Sequence, residues 1–176
     1  MENKFEEDYK SKVIFTASTQ QYWNKLFPKD TLTFYGLNEQ GNLVKLEDSY
    51  DKSRIDMVML VEHNNKILKY AIELKERTLT SKSYGENNEG WLLEKKKYDE
   101  IIEYKELSGM TPVYANLYTD GIIRIWNLNK TNTSNTINKP FNKYTVINSN
   151  KINKKGIQLY NKDGKTYRCN NQRTYS

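Results

Sequence analysis

The chain is 176 residues long, carries a net charge of +6 and is only 36% hydrophobic. That is the length of one domain, with a core that has to lean on its 3 Trp, 14 Tyr and 5 Phe, since each aromatic ring buries a large area. One cysteine, Cys169, and one histidine, His63, exclude a Cys/His zinc site and a disulfide within the chain, and no run approaches the roughly 20 apolar residues of a membrane span.

Met1-Glu2-Asn3-Lys4 opens no apolar leader, so a cytoplasmic location is expected, in a bacterial cell or a phage-infected host. Glu2 to Leu26 reads as helix in two pieces. Phe5, Tyr9 and Val13 share a face, Ser18-Thr19-Gln20-Gln21 resembles a capping box, and Pro28 stops the second piece. Thr31 to Tyr35 is a strand, and Leu43 to Leu46 can pair back on it. Arg54 to Glu62 is the clearest strand. Asn64-Asn65 tolerates the positive φ of a tight hairpin turn, and Lys66 to Lys75 returns. Glu76 to Gly90 is polar and reads as a loop. Trp91 to Leu107 is expected as a helix with Tyr98, Ile101 and Ile102 on one face, ended by Ser108-Gly109. Pro112 to Tyr118 and Ile122 to Leu128 are strands around Thr119-Asp120-Gly121. Asn129 to Asn138 is expected to be partly disordered. Tyr144 to Ile147 and Gly156 to Tyr160 are strand-like. Helix, strands, helix, strands in that order indicate a single α/β domain with a mixed central β-sheet flanked by helices.

The hairpin fixes side-chain positions. With Asn64 and Asn65 as the loop, Asp56 faces Glu73, Arg54 faces Lys75 and His63 faces Lys66. Alternation along a strand puts Asp56, Glu73 and Lys75 on one face. The other face carries Ile55, Met57, Met59 and Val61 opposite Leu74, Ile72, Tyr70 and Leu68, and is expected to be core. His63 sits in the turn, which leaves no histidine for a Ser/His/Asp triad. Opposed carboxylates on a sheet repel. Either that face is open to water, or a cation sits between Asp56 and Glu73. Two carboxylates and a backbone carbonyl form an oxygen-rich open site suited to Mg²⁺ or Mn²⁺. Lys75 points to the same side and can contact a phosphate or the attacking water.

Asp56, a hairpin and then Glu73-Leu74-Lys75 resemble the PD-(D/E)XK nuclease superfamily, whose signature is Asp, a spacer and Glu-X-Lys. Ile55 stands where the family usually has proline. The family's order of helix, Asp strand, Glu-X-Lys strand, helix and strand is similar to residues 1–128. The stretch Gly90 to Asp99 resembles the helix after the motif in small bacterial and phage nucleases, where a basic residue can point into the site. The resemblance implies a restriction-endonuclease-like core and Mg²⁺-dependent phosphodiester hydrolysis, with Mn²⁺ as a substitute and DNA as the substrate. Asp56, Glu73 and the Leu74 carbonyl would hold the metal, and Lys75 would orient water or neutralise the phosphate. An acid from the first helix would complete the set: Glu6, Glu7 and Asp8 are the candidates, and the resemblance favours Glu6 or Glu7. Acids in a first helical turn also simply favour the macrodipole. Of Lys95, Lys96 and Lys97, which span most of the helix circumference, Lys97 is the choice for the site; a solvated face explains the three equally.

Residues 129–176 form a basic, Asn- and Lys-rich extension, partly strand-like and expected to pack on the core. From Asn127 onward ten Lys/Arg meet one acid, Asp163, a net +9, while the first 126 residues carry −3. A basic end on a slightly acidic body suggests a polyanion, with Lys151, Lys154 and Lys155 as nucleic-acid contacts. The alternative is the composition bias of an AT-rich genome. Phe141, Tyr144, Tyr160, Tyr167 and Tyr175 either stack on bases or pack in the core. A homodimer is left open. The competing functions are a catalytically inactive nucleic-acid-binding protein on the same fold and a phage structural protein.

Overall fold

The computed structural model describes residues 20, 22–24, 27–50, 52–77, 80–84, 91–142 and 151–168. Among the described residues, ten strands build two sheets. Seven of them, β1 (Thr31–Leu37), β2 (Leu43–Val44), β3 (Met57–His63), β4 (Lys66–Glu76), β6 (Thr111–Leu117), β7 (Ile122–Asn127) and β10 (Lys165–Arg168), form one sheet in the order β10-β7-β6-β4-β3-β1-β2. Its β4–β6 pair is parallel and the other pairs are antiparallel, so the sheet is mixed. β5 (Trp91–Glu94), β8 (Thr136–Asn142) and β9 (Lys151–Leu159) form a separate antiparallel sheet, β5-β9-β8. Helix α1 (Lys95–Ser108) follows β5 without a loop. The fold class is mixed α/β with a mixed central sheet, as expected.

The β3–β4 hairpin has the register read from the sequence, from Met57 opposite Ile72 to His63 opposite Lys66. Asn64 and Asn65 both have positive φ, 48° and 60°, the turn whose twist matches that of the strands it joins. The parallel β4–β6 pair needs a crossover, and β5 and α1 provide it. Gly109, at φ 70°, ends α1 in the left-handed conformation that glycine adopts without a Cβ clash.

The central sheet has a core on each face. On one side, α1 and the second sheet bury Leu93, Ile101, Ile157 and Leu159 against Val58, Ala71, Tyr114 and Trp126. On the other, Tyr22 and Trp23 pack with Met57, Met59, Val61, Ile72 and Leu74. Each large apolar side chain fully withdrawn from water contributes roughly 1.5–3 kcal/mol.

Four expectations are corrected. Ile55 packs with Val58 and Ala71, on the opposite side of the sheet from Met57. The regular strand begins only at Met57, and a bend at residues 54–56 reverses the alternation. Leu68 is 45% exposed, because the hairpin tip extends past β6, whose pairing with β4 starts at Tyr70. Trp91–Glu94 is a strand, since β9 offers it a complete ladder from Leu159 to Gly156, and tertiary pairing overrides a helical pattern. Asn129 to Asn138 is ordered as turns leading into β8, with Thr131 buried and bonded to the Asn127 carbonyl at 2.7 Å. The expected strand at Tyr144–Ile147 and most of the expected first helix lie outside the described residues.

Candidate active site

The bend before β3 positions Asp56. Its N–H bonds the Ile72 carbonyl at 3.1 Å, one residue out of the hairpin register. Its Oδ2 accepts the Leu74 N–H at 2.8 Å. The regular β3–β4 ladder starts at Met57 opposite Ile72, so the Asp56 side chain stands where a strand carbonyl would otherwise accept. In an extended strand a residue's N–H and C=O project to the same edge. The Leu74 carbonyl is therefore directed toward Asp56 as well.

Glu73 lies one residue before Leu74 on the face shared with Ala71 and Lys75. Its side chain is 13% exposed, and its Oε1 is 3.8 Å from Lys97 Nζ. Lys97 is the third residue of α1. It also reaches Glu100 at 3.7 Å. Burial alone would push the Lys97 ammonium down, but Glu73, Asp56 and Glu100 outweigh it and hold its pKa above the usual lysine value. Lys75 is the opposite case. The residue is exposed overall, yet desolvation, followed by the Arg77 charge, lowers its pKa against the pull of Glu73, Asp56 and Glu94.

The fold thus brings together Asp56, Glu73, the Leu74 main chain, Lys75 and Lys97. Lys95 pairs with Asp99 and Lys96 points to solvent. Glu6 and Glu7 lie outside the described residues. Lys154 pairs with Glu94 at 2.9 Å, at the β5–α1 junction beside the site. Lys155 is exposed, and Lys151 is the register partner of Asn142. Tyr167 packs on the Tyr22/Trp23 core, and the Tyr160 hydroxyl accepts from Asn135 Nδ2 at 2.7 Å. His63 is at the far end of β3, bonded to Asp30, about 20 Å from Met57 at 3.3 Å per residue.

Among the described residues, no group of three or more Asp, Glu, His or Cys side chains converges as a metal site. The donors present are two carboxylates and a main-chain carbonyl, all hard oxygen, which fit a small divalent cation keeping several waters.

Three further residues belong to this region: Glu94, Arg77 and Asn116. Arg77 continues the alternation Glu73, Lys75, Arg77, and that spacing was legible. Asn116, 0% exposed, is the lone amide in the apolar run Pro112 to Tyr118, itself a sign of a specific hydrogen-bonding task. Glu94 had no sequence signal, because its strand was not foreseen.

No protein-family model and no curated protein matches the chain. Among solved structures, it is similar to Hjc, a Holliday junction resolvase from Archaeoglobus fulgidus. The identity is 13%, the match covers 58% of this chain and 68% of that one, and the TM-score is 0.38.

Proposed function

We propose that the chain is a metal-dependent nuclease that hydrolyses phosphodiester bonds, with DNA as its substrate. One observation carries this reading: the Asp56 carboxylate, in the bend before β3, is held on the main chain of Leu74, next to Glu73 on β4, with Lys75 and Lys97 close enough to feel both charges. A purely solvated strand face does not need two lysines directed at two carboxylates.

Asp56, Glu73 and the Leu74 carbonyl would hold Mg²⁺ or Mn²⁺. When bound, the cation activates water and neutralises charge on the phosphate. Lys75, on the same face as Glu73, donates to a phosphate oxygen or to the attacking water. Burial lowers its pKa, which eases proton loss at Nζ. Lys97 in the resting site offsets the carboxylate repulsion, and its ammonium can follow charge developing on the phosphate. The basic extension supplies further phosphate contacts, through Lys155 and the neighbouring Lys151 and Lys154.

The test is incubation with duplex, single-stranded, flap and four-way-junction DNA and with RNA, in Mg²⁺ or Mn²⁺ and in EDTA. Metal-dependent cleavage that disappears in Glu73→Gln supports the reading. Cleavage of none of these substrates, or cleavage unaffected by Glu73→Gln, rejects it.

A further inference from the structure

Arg77 directly follows β4. The Arg77 N–H extends the parallel ladder by bonding the Leu117 carbonyl at 2.8 Å. Its side chain then joins three residues of two elements. Nε donates to Asn116 Oδ1 at 2.8 Å, and Nη2 donates to the Tyr114 hydroxyl at 3.0 Å. Nη2 also reaches the Leu92 carbonyl at 3.4 Å, and the Tyr114 hydroxyl approaches the same carbonyl at 3.5 Å. Asn116 and Tyr114 belong to β6, and both are buried. Leu92 belongs to β5.

This bridge matters because of where β5 leads. Among the described strands, β5 pairs through its main chain with β9 alone. Its attachment to the central sheet runs through side chains: buried Leu93 and the bonds to the Leu92 carbonyl. Glu94 ends β5 and Lys95 begins α1 with no intervening loop, so a shift of Leu92 passes directly into the first helical turn. Lys97 is in that turn, 3.8 Å from Glu73. The arrangement also calls for arginine in particular. A planar guanidinium presents Nε and Nη2 in one fixed fork, whereas an ammonium on a flexible stem does not.

We propose that Arg77 is a positioning residue: by bridging Asn116 and Tyr114 of β6 to Leu92 of β5, it holds the start of α1 so that Lys97 lies over Glu73. As a statement about catalysis this rests on the nuclease reading. The brace itself does not.

The experiment compares wild type with Arg77→Gln, Arg77→Lys and Tyr114→Phe. At one fixed pH, lysines are modified with an amine-reactive reagent and mapped by mass spectrometry, alongside hydrogen exchange at the Leu92–Glu94 amides. In Arg77→Gln, Lys97 modification and Leu92–Glu94 exchange should rise roughly fivefold or more through local opening, while exposed Lys66 at the hairpin tip stays constant. Arg77→Lys, which keeps the charge without the fork, should behave like Arg77→Gln. Tyr114→Phe should respond in the same direction by less.

With a cleavable substrate, Arg77→Gln should lower kcat about ten- to hundredfold by misplacing one group. KM should change little, and Lys97→Ala should add little in that background, a strongly non-additive cycle. Unchanged Lys97 modification in folded Arg77→Gln overturns the proposal, as does a fully additive cycle. Should Arg77→Gln fail to fold, unchanged modification and exchange in Tyr114→Phe overturn it instead. Increased Lys97 modification in a protein that cleaves nothing supports the brace and rejects the nuclease reading.

Discussion

Asp56 Oδ2 accepts the main-chain N–H of Leu74 at 2.8 Å, at the end of the hairpin where β3 no longer pairs with β4. The carboxylate therefore completes the hydrogen bonding at this end of the sheet, and under the proposed reading it would also be a cation ligand. These two tasks separate in mutants. Asp56→Ala should abolish cleavage and lower stability by about 1–2 kcal/mol, because it leaves the Leu74 N–H without this acceptor. Asp56→Asn keeps an oxygen acceptor for Leu74, and should be equally inactive with a smaller loss of stability. Cleavage assays and urea unfolding test this, and cleavage surviving in Asp56→Asn would mean the chemistry is elsewhere.

Cation binding should appear as stabilisation of the native state. At 100 times Kd, a ligand specific for the folded form adds about 2.7 kcal/mol, worth roughly 5–10 °C of melting temperature for a chain of this size. Mg²⁺, Mn²⁺ and Ca²⁺ should each produce a rise in wild type that is absent in Glu73→Gln. Lys75→Ala should retain the rise but lose turnover. Lys97→Ala should bind the cation more tightly than wild type, because Lys97 sits 3.8 Å from Glu73 and competes for its charge. Weaker cation binding in Lys97→Ala would contradict that placement.

The extension should act through phosphates, and so be sensitive to salt. Neutralising Lys151, Lys154 and Lys155 together removes up to roughly three units of log–log salt slope, one for each phosphate no longer neutralised. Lys154 already pairs with Glu94 at 2.9 Å, so the expected change is nearer two, with Lys155→Ala contributing more than Lys154→Ala. Binding of uncleavable substrate in Ca²⁺ across several salt concentrations measures this. An unchanged slope would favour composition bias as the origin of the +9 segment.

Ser81 ties residues 80–84 to the β6–β7 turn. Its N–H and hydroxyl both donate to Asp120 Oδ2, at 3.1 and 2.7 Å. Burial raises the Asp120 pKa, but these bonds and its own main-chain contacts outweigh it and hold the group below the usual carboxylate value. A carboxylate with a depressed folded pKa adds stability that is present above its unfolded pKa and lost as pH falls through the folded one. Ser81→Ala should thus cost about 1–2 kcal/mol near neutrality. That difference should shrink as pH falls below about 4. Urea unfolding of both proteins at pH 7 and pH 3 checks the sign; an equal difference at the two pH values would be inconsistent with it.

The sequence by itself determined the hairpin and its register from Met57 to His63. Two asparagines able to adopt positive φ set a two-residue turn, and the period of two along β4 put Glu73 and Lys75 on one face; Asp56, expected opposite Glu73, lies instead in the bend before β3 and bonds the Ile72 carbonyl. These are local rules, and they held wherever the strand stayed regular. They failed at Ile55, because a bend is not visible in an alternation pattern. They failed again at Trp91–Glu94, whose conformation depends on a ladder with β9 more than fifty residues away. Only the tertiary structure decided that Lys97, rather than Lys95 or Lys96, approaches Glu73, and that Lys154 meets Glu94. Only the tertiary structure placed Arg77 between β6 and β5. Such pairings follow from the packing of a second sheet and a helix on the first, and side chains brought together by packing leave no periodic trace along the chain.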